Sequence, residues 1–309
     1  MPGHKGKDNS LPPCELGAEA ARESLRARLE VLRQHIEPLR AGSVSGVHDM
    51  RVASRRLRAA LKEFKPLLGK SARKPFERQV RSITRALGRP RELDVMARIL
   101  QEWKDLLPDA QETMGGLLDE INRRRKGSDS LCETALALVE APEFAEQSEN
   151  LLQSVHPQVK CHLARMREGL AEQLEAAGGA YDRWICKSGN ERLHQLRICC
   201  KKLRYACEIH AQHYPEVMPG FLTHLKGVQD CLGRWNDVRM LHEELIRVRD
   251  EDAGAWPDGG DYFLEALEED EQDKRSECEI TATDFFAPDT REAARYFLLA
   301  PESTCCQSD

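Results

Sequence analysis

One pattern of apolar and charged positions occurs twice along the chain. Over residues 47–64, apolar side chains recur at helical spacing and share one face, because successive residues of an α-helix turn by about 100°. Residues 193–207 repeat the pattern in register without a gap. The apolar positions are Met50, Ala53, Leu57, Ala60, Leu61 and Phe64 in the first stretch and Leu196, Cys199, Cys200, Leu203, Ala206 and Cys207 in the second. Each stretch therefore predicts a helix that packs along one side.

Amphipathic segments also precede and follow these two helices. The apolar residues from Leu25 to Ile36 step by four, three and four positions, and those from Val159 to Leu170 step in the same way. Apolar seams over residues 76–87 and 93–100 predict two more helices after the first repeated one. No segment alternates with a period of two, so the pattern predicts an all-α fold.

Turn and capping residues divide this pattern into elements. Ser43 predicts the N-cap of the first repeated helix, and residues 188–191 are typical of a capping box before the second. The sequence Leu-Gly-Arg at residues 87–89 predicts a turn before a fourth helix that begins near Pro90. The same three residues return at 232–234, at an offset one residue smaller, and predict a second such turn.

The faces opposite the two apolar seams carry charge of one sign. The first reads His-x-x-Arg-x-x-x-Arg-Arg-x-Arg from His48, and the second reads His-x-x-Arg-x-x-x-Lys-Lys-x-Arg from His194. A single basic face is ordinary for a solvated helix. However, solvated faces normally mix acidic and basic residues, since opposite charges four positions apart stabilise a helix. Two helix faces that carry only positive charge, each beginning with a histidine, therefore favour an anionic partner.

Length and charge refine the domain organisation. The 309 residues suffice for one large domain or two halves, and the repeat favours halves at residues 17–108 and 157–250 joined by a helical linker. Residues 241–309 hold 20 acidic and 6 basic side chains, which leaves residues 1–240 with a net charge of +8 although the whole chain carries −6. We expect residues 251–309 to be a loosely attached acidic appendage, so that truncation before residue 256 leaves the bundle folded.

The ends of the chain and its cysteines predict where the protein resides. Residues 1–16 are rich in glycine, proline and lysine and predict a disordered leader. They contain no apolar signal segment, and the chain has no run of about 18 apolar residues, so we expect a cytoplasmic protein without membrane insertion. The 11 cysteines are scattered over apolar helical positions such as Cys207 and Cys231, which predicts reduced core thiols.

The two histidine-headed motifs, each followed by Leu-Gly-Arg and nearby acidic residues, resemble the CHAD family of conserved-histidine α-helical domains over residues 17–250. The resemblance implies two pseudo-symmetric four-helix halves that enclose a basic central groove, which binds inorganic polyphosphate, and it extends the expected location to polyphosphate granules. The implied ligand residues are His48, Arg51, Arg55, Arg56, Arg58, Lys62, Arg81, His194, Arg197, Lys201, Lys202, Arg204 and Lys226. Two residues depart from the family pattern at the groove edges. Glu208 occupies the position of the second copy that matches Lys62 of the first, and Glu92 stands where the pattern has an aspartate.

The chemistry of polyphosphate agrees with this set of side chains. The polymer is a flexible chain of monoanions without base edges, so its receptor needs many guanidinium and ammonium donors along a groove. Some relatives join the domain to a triphosphate-tunnel module marked by a Glu-x-Glu-x-Lys strand, which this sequence lacks. We therefore expect a binding module rather than an enzyme, without a cofactor or metal.

Two other functions compete with this prediction. A basic groove attracts nucleic acids and other phosphate polymers, but aromatic side chains for base stacking are absent from the stripes apart from Tyr205 beside the second. A metal-dependent phosphohydrolase would need paired Glu-x-x-His motifs. Glu191 and His194 form one, whereas Ser45 stands at the matching place before His48. The sequence indicates no particular oligomeric state.

Overall fold

The protein is a bundle of helices. The computed structural model describes residues 13–157, 162–251, 254 and 256–299. Within those residues there is no strand beyond one isolated bridge between Leu68 and Val155, which confirms the all-α prediction. The helices are α1 (Pro13–Gln34), α2 (Ile36–Arg40), α3 (Val44–Glu63), α4 (Lys70–Ala86), α5 (Gly88–Leu106), α6 (Gln111–Gly127), α7 (Asp129–Glu140), α8 (Pro142–Gln153), α9 (His162–Cys186), α10 (Asn190–His210), α11 (Met218–Glu251), α12 (Gly260–Phe285) and α13 (Pro288–Leu299).

The two predicted repeated helices are α3 and α10. The Ser43 hydroxyl accepts a hydrogen bond from the Gly46 amide at 2.9 Å and caps α3 as predicted. Gly46 also lies against the backbone of Pro38 so closely that no Cβ fits, which explains the glycine. The capping box predicted before α10 is wrong, because Gly189 precedes the helix and no side chain caps it.

Helices α3 and α10 run side by side in the same direction. Phe64 at the end of α3 meets His210 at the end of α10, with ring centroids 6.2 Å apart. Earlier in both helices, the Arg56 guanidinium of α3 pairs with Glu208 of α10 at 3.2 Å. Because contact partners advance together along both helices, the two basic faces lie next to each other.

Each of these helices is fixed to the next by a polar contact at matching positions of the predicted repeat. The Thr84 hydroxyl of α4 donates to the Ser54 hydroxyl of α3 at 3.0 Å. In the second copy the Gln229 amide of α11 donates to the Cys200 carbonyl of α10 at 2.6 Å. These contacts hold α4 against α3 and α11 against α10.

The two Leu-Gly-Arg sequences adopt different structures. Helix α4 ends at Ala86, and α5 begins after Leu87 alone. In contrast, α11 continues through residues 232–234, so the second predicted turn is wrong. Pro90 explains the difference, since its ring clashes with the carbonyl of residue 86 in a continuous helix. The matching position in α11 is Trp235, which is fully buried.

Arg89, the arginine of the first Leu-Gly-Arg, has a structural role. Its guanidinium contacts the fully buried carboxylate of Glu244 on α11, with one Nη1–Oε2 distance of 3.0 Å. Arg124 of α6 reaches the same carboxylate at 3.2 Å. This pairing ties α5, α6 and α11 together, and a buried carboxylate of this kind depends on both partners.

The buried apolar side chains form three clusters. One joins α1–α4 with α7 and α8, so the predicted linker helices α7 and α8 pack against the first half. A second joins α9–α11 with α13 and the end of α12. The third lies among α5, α6, α11 and the start of α12. The division into two halves stays a prediction.

The acidic C-terminal segment contributes to two of these clusters. Phe263, Leu264 and Leu267 of α12 are buried against α5, α6 and α11. Phe285 of α12 and Leu298 of α13 are buried in the second cluster. The prediction of a loose attachment is therefore wrong for residues 260–299, because α12 has an apolar face beneath its acidic one.

Other predictions concern the first residues, the membrane and the thiols. The predicted leader lies outside the described residues up to position 12, and α1 already begins at Pro13. Among the described helices, none combines the length and the apolar character needed to cross a membrane. The described cysteines are free thiols, and Cys207 and Cys231 are buried as predicted.

Candidate functional site

A cavity of about 780 Å³ lies between α3, α5, α10 and α11, and we call it the basic groove. The charged faces of α3 and α10 supply one side, and α5 and α11 supply the other. Seven of the thirteen predicted ligand residues line it, namely His48, Arg51, Arg55, His194, Arg197, Lys201 and Arg204.

The centre of the groove holds cations that are partly withdrawn from water. Burial, together with repulsion from Arg197 and Arg55, lowers the pKa of Lys201 to about 6. Burial likewise lowers the pKa of Arg197 and of Arg51. These side chains crowd together at an energetic cost that an anion would relieve, since an opposite charge stabilises their charged forms.

Several buried guanidinium nitrogens in the groove lack a hydrogen-bond partner among the described residues. They include the Nε atoms of Arg197 and Arg239. In contrast, the Arg51 Nη1 donates to the Thr84 carbonyl at 2.8 Å, which fixes the direction of that side chain. Buried donors without partners are uncommon in proteins, so these two guanidinium groups are incompletely satisfied in the empty groove.

The two histidines lie at the heads of the basic faces, as the motifs predict. The His194 Nδ1 lies 3.2 Å from the Asn236 Oδ1, which orients the ring. His48 is exposed and lies near Arg91. Partial burial of each ring lowers the pKa of both histidines, with added repulsion from Arg91 at His48. Both rings are therefore mostly neutral at neutral pH in the empty groove.

The side formed by α5 and α11 holds charged residues that the predicted ligand set lacks. Their signal in the sequence is the pair Arg91-Glu92 after the first Leu-Gly-Arg, which matches Asn236-Asp237 after the second. Burial raises the pKa of Asp237, against the attraction of Arg197 and Lys201. The other charged residues on this side are Asp230, Arg234, Arg239 and Glu243.

The sequence model of the CHAD domain matches residues 23–246 of the chain. The chain belongs to the CHAD domain family. This confirms the resemblance drawn from the two histidine-headed motifs.

Two solved structures share the fold of this CHAD protein. The crystal structure of the CHAD domain from the plant Ricinus communis has 21% sequence identity and a TM-score of 0.59, with 92% of each chain covered. PptA from Streptomyces chartreusis has 14% identity and a TM-score of 0.62, covering 85% of this chain and 96% of its own. No curated protein matches the sequence. At these identities the similarity establishes the fold.

Six predicted ligand residues of this CHAD domain lie outside the lining of the basic groove. Arg56 pairs with Glu208 and so holds α3 against α10. Arg58 is exposed near Arg81, and partial burial together with repulsion from Arg81 lowers the pKa of Arg58. The remaining four side chains are exposed, namely Lys62, Arg81, Lys202 and Lys226. Their role as ligands stays a prediction.

One aromatic side chain lies in the groove of this CHAD domain. Tyr205 lines the cavity between Arg55 and Arg204, whose guanidinium carbons lie 5.9 and 5.5 Å from its ring centroid. Cation–π contacts at this distance hold guanidinium groups over an aromatic face. The ring therefore positions two cations of the basic groove.

Proposed function

We propose that this CHAD domain binds inorganic polyphosphate in the basic groove, without a catalytic step. The observation that carries the proposal is the cluster of Arg51, Arg55, Arg197 and Lys201, which contributes cations from two helices to one partly buried space. A flexible polyanion brings several negative charges into that space at once. Guanidinium groups contact its oxygens in pairs, and lysine contacts them as a point charge.

Exposed cations beyond the groove support a path for a long chain. Arg58 adjoins the cavity-lining Arg55 on α3 and lies near Arg81 and Arg85 of α4. A short phosphate ligand would fill only the central cluster, whereas a polymer would continue along this surface. Counter-ion release makes each added phosphate contact favourable at low salt. We place the protein in the cytoplasm, in association with polyphosphate granules.

The experiment that tests the function compares long-chain polyphosphate with single-stranded DNA of matched phosphate number. Polyphosphate should bind more tightly, because the groove offers one aromatic ring, already covered by Arg55 and Arg204, for base stacking. For six to ten contacts, log affinity should fall with log salt at a slope of about −0.7 per contact. Tighter binding of DNA would make the protein a nucleic-acid binder, and an affinity independent of salt would contradict both functions.

Polyphosphate binding should weaken as pH rises above about 6. The pKa of Lys201 is lowered to about 6 in the empty groove, and a polyanion raises it again, so binding takes up a proton at neutral pH. The sign follows because the complex binds more protons than the free protein. Uptake of one proton changes the affinity for polyphosphate by at most about tenfold per pH unit.

Isothermal titration in two buffers of different ionisation enthalpy measures this proton uptake directly. The matched control is Lys201→Arg, which keeps a charge at every accessible pH and should flatten the dependence. The histidines contribute their own uptake equally in both proteins, because burial lowers their pKa as well. Equal slopes for wild type and Lys201→Arg would exclude Lys201 as the titrating group.

A further inference from the structure

Two carboxylates occupy matching places on neighbouring helices along one side of a groove built for anions. Glu92 on α5 and Asp237 on α11 both line the cavity. They follow the two Leu-Gly-Arg sequences at the same distance, so each half of the predicted repeat places one carboxylate there. A carboxylate repels any anionic ligand. Its presence in both halves therefore calls for a physical explanation.

These carboxylates differ from the other acidic residues that face arginines. Glu208 and Glu244 make close ion pairs with Arg56 and Arg89, which occupies those guanidinium groups. Neither Glu92 nor Asp237 makes a close ion pair with a described residue, although both act on nearby cations. They offset repulsion among the groove cations while leaving the N–H donors open to a ligand.

Each carboxylate lies near a different set of cations. Asp237 is surrounded by Arg197 and Lys201 of α10 and by Arg91 and Arg98 of α5. Glu92 acts on Arg51 of α3. A phosphate bound by Arg197 or Lys201 therefore also lies near Asp237. One bound by Arg51 lies near Glu92.

The repulsion from a carboxylate grows with the charge on the nearest phosphate. An internal phosphate of polyphosphate carries one negative charge, whereas a phosphate monoester approaches two at neutral pH. In a partly buried site with an effective dielectric constant of about 20, one extra charge several ångströms away changes affinity by about tenfold or more. Two carboxylates thus penalise compact, highly charged phosphates more than a polyphosphate chain.

We propose that Glu92 and Asp237 are the specificity-determining residues of the groove, which select chains with one charge per phosphate over compact phosphate monoesters. This inference rests on the proposed function, because it concerns the same groove. Glu92 and Asp237 thus determine which phosphate ligand binds, although neither binds the ligand itself.

The test measures affinities for long-chain polyphosphate and for inositol hexakisphosphate, a compact set of monoesters. The proteins are wild type, Glu92→Gln, Asp237→Asn and the double variant. Both ligands should bind the double variant more tightly, and the gain for inositol hexakisphosphate should exceed that for polyphosphate by about tenfold or more. Asp237→Glu, which keeps the charge, should retain the wild-type preference, and thermal unfolding verifies that each variant is folded.

Asp230→Asn is the matched control, because Asp230 also lines the cavity but is exposed. Water screens an exposed charge, so this variant should raise both affinities slightly and equally. Equal gains for both ligands in the folded double variant would overturn the assignment while leaving polyphosphate binding intact. If wild type bound no polyphosphate, the proposed function and the selection would both be wrong.

Discussion

Replacing both Arg55 and Lys201 by glutamate should weaken the binding of long-chain polyphosphate by at least about a hundredfold. The two residues occupy matching positions on α3 and α10 and line the groove together. In the complex, where the polyanion keeps Lys201 protonated, each replacement reverses one charge, so the double variant turns the centre of a cation cluster into a mixed site. The loss should exceed that of either single variant, because one polyanion contacts both helices.

The fold should tolerate these changes. Neither side chain belongs to a buried apolar cluster, and burial together with repulsion from neighbouring cations already lowers the pKa of Lys201. Relief of that repulsion should keep the free energy of unfolding near its wild-type value or raise it. Thermal unfolding of the same samples measures this.

Lys202→Glu provides the comparison on the same helix. Lys202 follows Lys201 directly but is exposed and lies outside the cavity lining. The same change of charge there should cost less than about threefold, since exposed charges are screened by solvent and salt. Equal losses for Lys201→Glu and Lys202→Glu would mean that polyphosphate binds the surface by overall charge. Normal binding by the folded double variant would exclude the groove altogether.

The comparison of Lys201 with Lys202 also illustrates what the sequence could predict. Helical spacing placed both copies of the basic face opposite the apolar seam, and the resulting helices are α3 and α10. Adjacent residues on a helix differ by about 100° in direction. Whether one of two neighbouring cations enters a groove depends on the partner helix, which the spacing within one helix does not specify. Arg56 illustrates the same point, because its partner Glu208 lies on α10.

The structure of the second Leu-Gly-Arg sequence was predictable in principle. A match to residues 87–89 predicted a turn, but the turn depends on Pro90 rather than on the matched residues. The second copy has Trp235 at that place, and its burial favours a continuous α11.

The predicted ligand set omitted the carboxylates of the groove, Glu92 and Asp237, for a different reason. Acidic residues argue against an anion site until their positions among the cations are known.

Composition was a poor guide to the C-terminal segment for a related reason. Helix α12 is acidic on average, but its apolar residues recur on one face and pack against α11. Average charge describes the solvated face of such a helix and conceals the buried one. The segment therefore belongs to the core of the protein.

Deleting residues 256–309 should accordingly prevent stable folding. The deletion removes six large buried side chains, namely Phe263, Leu264, Leu267, Phe285, Phe286 and Leu298. Each stabilises the fold by about 1.5 to 3 kcal/mol through burial, as an upper estimate. Their sum is comparable with the net stability of a typical domain, about 5 to 15 kcal/mol. Loss of α12 also exposes α11, which carries part of the groove, so polyphosphate binding should be lost with the fold.

Circular dichroism with thermal unfolding measures the effect of the truncation against a control that lowers the acidic charge of α12 and keeps its apolar face. In the control, the full chain carries Glu265→Gln, Glu269→Gln and Asp273→Asn, three exposed positions on α12. Surface substitutions of this kind usually change stability by about 0.5 kcal/mol or less, so the control should unfold like the wild type. If the truncated chain instead unfolded cooperatively at the wild-type temperature, the apolar face of α12 would contribute little, and the segment would be the separate appendage that its composition predicts.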